Sequence, residues 1–361
     1  MIFRNPEGTG PHRLSTRAIR ALERLFLRLT PASWRRRESY RIRNALAHSQ
    51  WLQCQPLRLL LQEKLRTLLL ESAALPYYTD LFKQHLASSH PFTTPESLTT
   101  LPLLNPLPSA HSDLHLSLRR RGTDRLLREW IAAEWHTRAL ERQWLWTGHQ
   151  SGDRHITLSL VGAQEPPPWQ SVRSGDQLRV TLSPDLMNPT QSVVLLTQMA
   201  AFDPILIQGS PEALNLLAMV LESRDEYFAG ESLRSLIIVT EPGSALHGKR
   251  LRERFNTTLY PWFSTPSDAL CIGTCEYGRL HIIDDLAWVE TMAVSDRDPD
   301  RVELISTPFH PPEQIVIRQR TGVQVTLADH QGTPCPCGRC FTRIQEVHTE
   351  KSTLRSLGNS D

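Results

Sequence analysis

The chain has 361 residues, of which 40% are hydrophobic and 22% are charged. With 17 glycines and 26 prolines, this composition excludes a collagen-like, coiled-coil or broadly disordered protein. The length exceeds what one small core needs, and it suits one large α/β domain or two domains of ordinary size.

Charge is unevenly distributed, although the net charge is only +2. Residues 1–50 contain eleven arginines, no lysine and three acidic residues, a net charge of +8, which leaves −6 on the rest of the chain. One interpretation is a solvated arginine face on helices that pack against the main domain. The alternative is a contact with anionic lipid or an acidic partner. No aromatic interleaving or reader motif favours nucleic acid, so none is expected as a partner.

Two sequence features bear on the cellular compartment. No stretch approaches the roughly 20 apolar residues that a membrane span needs, and the N-terminus lacks the pattern of a secretory signal. The sequence therefore predicts a cytoplasmic protein.

Five of the six cysteines fall in two clusters, Cys271/Cys275 and Cys335/Cys337/Cys340. In a reducing compartment such clusters indicate metal binding rather than a disulfide framework.

Residues 1–74 form a predicted basic helical segment. Arginines recur every three or four residues over positions 13–28 with apolar residues between them, which is typical of an amphipathic helix. Two further helices are predicted, one over residues 35–51 and one over residues 57–70. A segment with tyrosine and phenylalanine at residues 75–82 is predicted to end this helical region.

The rest of the chain alternates between strands and helices after one long predicted helix, Asp124–Gly148. Alternation at this spacing indicates an α/β fold with a largely parallel sheet, and beyond Tyr260 the pattern becomes hairpin-like. The predicted strands are Ile156–Val161, Gln177–Leu182, Ile205–Gln208, Leu233–Thr240, Leu280–Asp284, Ala287–Ala293, Val302–Thr307 and Gln314–Arg318, and the helices between them are Gln191–Ala201, Pro211–Leu221 and Ala245–Phe255.

Short motifs occur in a particular order between residues 75 and 345. They are Leu75-Pro76-Tyr77-Tyr78, Leu101-Pro102-Leu103-Leu104, Arg142-Gln143-Trp144 with Gly152-Asp153-Arg154, Pro204-Ile205-Leu206 with Gly209-Ser210-Pro211, Thr240-Glu241, Arg318-Gln319-Arg320-Thr321-Gly322 and Cys335-Pro336-Cys337-Gly338-Arg339. In this order they resemble the phenylacetate-CoA ligase and CapK branch of the adenylate-forming superfamily. The resemblance implies that residues 75–345 form that superfamily's large α/β domain, with parallel-rich sheets, packed helices and a β-rich C-terminal part. Residues 346–361 are expected to be a polar tail.

The resemblance implies an enzyme that activates a carboxylate with ATP and passes the acyl group to a thiol. Its phosphate loop needs small residues, because backbone amides must wrap the phosphates closely. This chain instead has Arg119, Arg120, Arg121 and Gly122 at the matching place. Bulky arginines cannot form such a cradle. These residues therefore have either a structural role only or form a residual anion-binding site.

Other positions that serve ATP in the family have also changed. Thr265 remains from the magnesium motif, but Pro266 stands where its glutamate belongs. Thr321 and Gly322 remain from the ribose motif, but the next residue is Val323, which cannot accept a hydrogen bond from a ribose hydroxyl. The family's small C-terminal catalytic domain, which carries a lysine, is expected to be absent because the sequence stops at residue 361.

These changes predict a pseudoenzyme that has no catalytic residues and needs neither ATP nor Mg²⁺. Such a protein is expected to act as a scaffold or accessory subunit of a biosynthetic pathway, bound to another enzyme, a carrier protein or a second copy. One alternative is a divergent acyl-activating enzyme that adenylates a carboxylic acid together with a partner. Another is an anchor or binding module that uses residues 1–50 for peripheral membrane or protein contact.

The clustered cysteines predict a structural zinc site. Cys275 and His281 flank a tight turn, and Cys335 and Cys337 form a second pair, so together they supply a closed Cys₃His set. The family resemblance supports the same four ligands, with Cys271 and Cys340 as nearby substitutes. The alternatives are free thiols or a redox pair.

Two other groups of polar residues receive non-catalytic interpretations. Asp284 and Asp285 are adjacent and are candidates for a pair of carboxylates. Neighbouring residues of a strand face opposite sides, so the sequence favours a solvated turn for them. The remaining histidines show no other recognised ligand spacing and are expected to be exposed or satisfied within the core.

Overall fold

The computed structural model describes residues 31–85, 98–99, 101–104, 125–160, 169–183, 189–240, 248–265, 270–295, 298–311, 314–348 and 353–355. Its helices are α1 (Ala32–Ser49), α2 (Cys54–Ser72), α3 (Pro76–His85), α4 (Arg125–Trp146), α5 (Pro189–Phe202), α6 (Pro211–Ser223) and α7 (Gly248–Phe255). Its strands are β1 (His155–Leu160), β2 (Trp169–Ser174), β3 (Gln177–Leu182), β4 (Leu206–Gly209), β5 (Ser235–Thr240), β6 (Thr258–Ser264), β7 (Cys271–Thr274), β8 (Leu280–Ile282), β9 (Ala287–Ser295), β10 (Asp298–Pro308), β11 (Gln319–Leu327), β12 (Arg343–His348) and β13 (Thr353–Arg355).

All of these strands join one sheet in the order β2-β3-β1-β4-β5-β6-β7-β8-β12-β11-β10-β9, with β13 paired to β12. Strands β3, β1, β4, β5 and β6 are parallel, and helices α5, α6 and α7 connect β3 to β4, β4 to β5 and β5 to β6. From β6 to β9 every pairing is antiparallel, which accounts for the hairpin-like sequence beyond Tyr260. The predicted α/β class with a parallel-rich sheet and a β-rich C-terminal part is confirmed.

Helices cover both faces of the parallel strands. In β5, Leu236 and Ile238 pack into a cluster formed with α5, α6 and α7, whereas the intervening Ile237 packs into a second cluster with α1, α2 and α4. Successive side chains of a strand point to opposite faces, so this central strand is apolar on both sides. The second cluster also contains cysteines from the C-terminal strands, which brings the N-terminal helices and the cysteine region together.

The predicted strand at Gln314–Arg318 is wrong, since strand β11 begins at Gln319, just after the predicted end, and runs to Leu327. The Tyr78 hydroxyl donates to the carbonyl of Ile315 at 3.1 Å and accepts from the amide of Ile317 at 2.9 Å. These hydrogen bonds take the place of strand pairing in that segment.

The predicted end of the helical region is also wrong, because the tyrosine-containing segment forms α3, whose Pro76 occupies the first turn.

The first predicted helix lies outside the described residues, whereas α1 and α2 match the second and third. In the part of the chain that the structure describes, no helix combines the length and apolar character that a membrane span requires.

Candidate functional site

Two cysteine turns of the same geometry lie next to each other. The carbonyl of Cys275 accepts from the amide of Gly278 at 2.8 Å, and the carbonyl of Cys335 accepts from the amide of Gly338 at 2.7 Å. In both turns the cysteine amide donates to the carbonyl four residues later, at 2.9 Å. Both glycines have positive φ, 68° and 83°, which favours glycine over other residues. Each turn therefore fixes the direction of its cysteine side chain.

The turns bring together the four residues that the sequence predicted as ligands. The Sγ atoms of Cys275, Cys335 and Cys337 and a ring nitrogen of His281 all lie within 4.8 Å of one another, and all four residues are buried. The Cys337 Sγ to His281 Nε2 distance is 3.7 Å. A tetrahedral zinc site with the usual Zn–S and Zn–N bond lengths separates its ligand atoms by about 3.5–3.8 Å. The geometry fits a closed four-ligand metal site.

His281 is oriented by a hydrogen bond on its other nitrogen. The residue lies on β8, and its Nδ1 is 3.3 Å from the backbone carbonyl of Phe341. A ligating histidine is commonly fixed in this way, because the bond to one nitrogen leaves the other as the metal ligand. The bond therefore directs Nε2 toward the cysteines.

The electrostatics of the cluster favour a thiolate at Cys337, whereas hydrogen bonds to Cys335 and Cys337 raise the pKa of Cys275. The pKa of Cys337 is lowered by hydrogen bonds from Cys275 and Cys335, with His281 contributing a further one. Burial by itself would lower the pKa of His281, but its hydrogen bonds to Cys335 and Cys337 outweigh burial and raise the pKa to about 9. A divalent cation would replace these protons and satisfy the same buried ligand atoms.

The two cysteines considered as substitute ligands have other partners. Cys340 forms a disulfide with Cys54 at the start of α2, across a sequence separation of 286 residues. Cys271 remains a thiol, and its Sγ lies 3.6 Å from Nδ1 of His136 on α4. Cysteine spacing did not indicate the disulfide, because Cys54 stands alone in the sequence, far from both clusters.

Replacing Cys54 with serine is expected to lower the free energy of unfolding by about 2–4 kcal/mol, because the disulfide restricts the unfolded chain. Urea unfolding of the oxidised parent and the variant measures the difference. Metal content serves as the control and should be equal in both proteins, since neither disulfide cysteine belongs to the four-residue cluster. Equal stability of the two proteins would show that the cross-link does not form.

Arg339, next to the second cysteine turn, connects this turn to the N-terminal helices. Its guanidinium lies 4.6 Å from the ring centroid of Trp51 and 4.4 Å from that of Trp146, and it pairs with Glu276 at 2.7 Å. Trp146 also donates its indole N–H to Gln50 at 2.7 Å. The end of α1, the end of α4 and both cysteine turns are therefore packed together.

A buried ion pair lies beside the cluster. The Arg142 guanidinium binds both carboxylate oxygens of Asp285, at 2.6 and 2.9 Å, and the Ser49 hydroxyl donates to the same carboxylate. The Lys64 ammonium donates to the Asp285 backbone carbonyl at 2.7 Å. Burial by itself would raise the pKa of Asp285, but the charge and hydrogen bonds of Arg142 outweigh it and lower the pKa. The prediction of a solvated turn at Asp284 and Asp285 is therefore wrong, since both residues are buried.

Among the positions that resemble the nucleotide site, Arg119, Arg120, Arg121, Gly122 and Pro266 lie outside the described residues. Thr265 is buried, and its hydroxyl accepts from the amide of Leu270 at 3.0 Å. The hydroxyl of Thr265 thus has a hydrogen-bond partner within the chain.

The residues at the positions of the ribose motif also form hydrogen bonds or core contacts within the chain. The Thr321 hydroxyl donates to the carbonyl of Leu304 at 2.6 Å, and the amide of Gly322 donates to the Glu303 carboxylate at 3.3 Å. Val323 is 1% exposed and belongs to the core between the C-terminal strands. The side chain of Val323 therefore packs within this core.

Solved structures with this arrangement of helices and strands include 2-hydroxyisobutyryl-CoA ligase. Its open conformation in complex with 2-HIB-AMP and CoA has a TM-score of 0.58 and 15% sequence identity, over 85% of this chain and 74% of the ligase chain. Its postadenylation state in complex with R3-HIB-AMP has a TM-score of 0.57 and 16% identity, over 86% of this chain and 72% of the ligase chain. The chain has the fold of adenylate-forming CoA ligases. No family model matches the sequence, and no curated protein matches it either.

Proposed function

We propose that this adenylate-forming-type protein no longer activates carboxylates with ATP and acts as an accessory protein in a pathway that handles acyl groups. Its partner is another enzyme, a carrier protein or a second copy of the chain. The narrower assignment to the phenylacetate-CoA ligase and CapK branch rests on the order of the sequence motifs. A cytoplasmic location is part of the same proposal.

The observation that carries this proposal is the burial of Val323. An aspartate at this position could accept both ribose hydroxyls, whereas a valine with 1% exposure presents no acceptor. The polar groups of Thr265, Thr321 and Gly322 already have partners within the chain. Binding ATP there would require breaking these contacts, and each lost hydrogen bond costs about 1 kcal/mol.

The purified protein is expected to show no ATP-pyrophosphate exchange above background with aryl, alkyl or hydroxy acids. Isothermal calorimetry should likewise detect no ATP or AMP binding in the presence of Mg²⁺. An active CoA ligase assayed in parallel is the positive control. Exchange that depends on one acid would contradict the proposal and favour the divergent acyl-activating enzyme, which the ligase fold also allows.

We further propose that the Cys₃His cluster holds a structural zinc ion. The site is closed, because four protein ligands leave no position for substrate. Cys275 and His281 come from the β7–β8 hairpin, and Cys335 and Cys337 come from the segment between β11 and β12. The ion would therefore join two separate stretches of the C-terminal strands.

A further inference from the structure

The Cys54–Cys340 disulfide borders an open pocket. Cys54 begins α2, and Cys340 follows the second cysteine turn. Both residues are partly exposed, whereas the four remaining cysteines of the chain are buried. A pocket of about 270 Å³ has both disulfide cysteines in its lining. The disulfide is therefore the place where a dissolved reagent can reach cysteine sulfur in this protein.

Helix α2 and strand β9 supply most of the apolar lining of this pocket. Residues three and four positions apart lie on one face of a helix. The α2 face that lines the pocket consists of Cys54, Leu57, Arg58 and Leu61, and the start of β9 contributes Ala287, Trp288 and Val289. Sites for drug-sized ligands have volumes of about 300–1,000 Å³, so a pocket of this size suits a small molecule.

The accessible charge of the pocket is positive. Besides the cysteines, Arg58 and Asp284 are the ionisable residues among its described lining. Asp284 is buried, and its carboxylate accepts from the amide of Thr342 at 2.6 Å. Arg58 is exposed, so its guanidinium can pair with a carboxylate on an entering molecule.

A thiolate is better stabilised on Cys54 than on Cys340. Cys54 is the first residue of α2, whose N-cap Gln53 makes no side-chain hydrogen bond and whose first turn contains no acidic residue. The partial positive charge of a helix N-terminus stabilises an anion at this place. Cys340 instead packs against the apolar cluster that contains residues of α1, α2 and α4. When the disulfide opens, its electron pair is therefore expected to leave on Cys54.

We propose that this pocket admits a small thiol that carries a carboxylate, and that this thiol exchanges with the disulfide to form a mixed disulfide on Cys340. The inference goes beyond the proposed function and does not depend on whether the chain uses ATP. Disulfides in a reducing compartment are typically transient or redox-sensing, which agrees with the proposed cytoplasmic location.

The exchange is balanced without a separate oxidant or reductant. The small thiol loses its proton to solvent, and its thiolate attacks Sγ of Cys340. The bond between Cys340 and Cys54 breaks, and its electron pair leaves on Sγ of Cys54, which takes up a proton from solvent. One disulfide replaces another. Attack by the Cys54 thiolate on Cys340 expels the small thiol again, so the modification is reversible.

The test incubates the full-length, oxidised, metal-loaded protein in native buffer with excess reduced glutathione, a thiol with two carboxylates. N-ethylmaleimide then traps free thiols, and intact-mass spectrometry with peptide mapping locates both labels. The expected species carries glutathione on Cys340 and maleimide on Cys54. Cys54→Ser lacks the thiol that expels glutathione, so it should take up one glutathione from glutathione disulfide, again on Cys340.

Two arginine variants test the role of charge. Arg58→Gln should slow the reaction with glutathione by about 2- to 5-fold, as for loss of an exposed ion pair, and should leave the rate with uncharged 2-mercaptoethanol unchanged. Arg66→Gln is the matched control, because Arg66 is also an exposed arginine of α2 but does not belong to the pocket lining. It should change neither rate. Equal metal content verifies that the variants are folded.

A disulfide that reacts with glutathione only after the protein unfolds in urea would overturn the proposal and leave a structural cross-link. Glutathione found on Cys54 rather than Cys340, or equal slowing of both thiols by Arg58→Gln, would overturn it as well. So would two free thiols at these positions in protein purified under oxidising conditions. None of these results bears on the proposed loss of ATP activity, which pyrophosphate exchange measures separately.

Discussion

Replacing Cys337 with serine is expected to abolish stoichiometric zinc binding and to lower the free energy of unfolding by roughly 4 kcal/mol or more. Structural zinc sites in small peptides contribute about 10–16 kcal/mol of apparent binding free energy at neutral pH, and this energy stabilises the folded state. The Sγ atom of Cys337 is one of four ligand atoms that lie within 4.8 Å of one another. Removing it would leave the metal ion with three protein ligands. Elemental analysis and urea unfolding of protein purified without chelator measure both effects.

Cys271→Ser provides a matched control for metal binding, because this cysteine is also buried but belongs to no metal-ligand group among the described residues. It should retain one zinc per chain. A parent protein without zinc, or a Cys337 variant that retains it at full stoichiometry, would contradict the assignment. Removal of metal by a strong chelator should reproduce the loss of stability, since both treatments leave buried thiols without a cation.

Replacing Asp285 with asparagine is expected to destabilise the protein by about 3–5 kcal/mol, because it leaves the Arg142 charge buried without its counter-ion. The side chains of Arg142 and Asp285 are 3% and 0% exposed, so solvent cannot compensate. The pair also joins α4 to the C-terminal strands and to Ser49 of α1. Urea unfolding at pH 7 measures the effect.

Arg154 and Asp203 form the comparison pair. Their side chains are 44% and 28% exposed, and Arg154→Met should cost no more than about 1 kcal/mol. A double variant, Arg142→Met with Asp285→Leu, should recover much of the stability lost in Asp285→Asn, because neither charge then remains buried. If Asp285→Asn costs no more than Arg154→Met, the buried ion pair does not exist as described.

The Arg142–Asp285 ion pair is expected to make the stability of the protein depend on pH in the acidic range. The pKa of Asp285 lies below its ordinary value of 3.8 in the folded state, so the unfolded chain binds a proton at higher pH than the folded chain. The carboxylate thus contributes stability that is present above pH 4 and is lost as the pH falls below that value. Asp285→Asn should remove this part of the acid dependence.

Local sequence patterns predicted much of the fold. Strand Gln177–Leu182 occurs with the predicted limits, and helix Pro211–Ser223 extends the prediction by two residues. Apolar periodicity and a Ser-Pro helix start depend only on neighbouring residues. They can therefore be recognised without the tertiary structure. The C-terminal strand β11 was displaced in the prediction because Tyr78, more than 200 residues away, occupies the backbone groups just before it.

The candidate site also contains residues that the sequence predicted and residues that it did not. Cys275, His281, Cys335 and Cys337 could be predicted because the two members of each pair are at most six residues apart, and such short spacing brings ligand atoms together. Cys271 and His136 lie 135 residues apart, and the sequence indicated Cys271 only as a substitute metal ligand. No spacing rule connects such residues, so this contact was not among the sequence predictions.

The sequence by itself determined the α/β class, the strand–helix order and the four residues of the Cys₃His cluster, since periodicity and ligand spacing are properties of neighbouring residues. It also indicated that the positions of the ATP motifs had changed. Only the tertiary structure decided the partners of Arg142, Cys54 and Cys271, because these contacts join α2 and α4 to residues in or next to the C-terminal strands, far along the chain. It also showed that Asp285 is buried rather than solvated: packing of these helices against the C-terminal strands removes water from a carboxylate that looked like part of a polar turn.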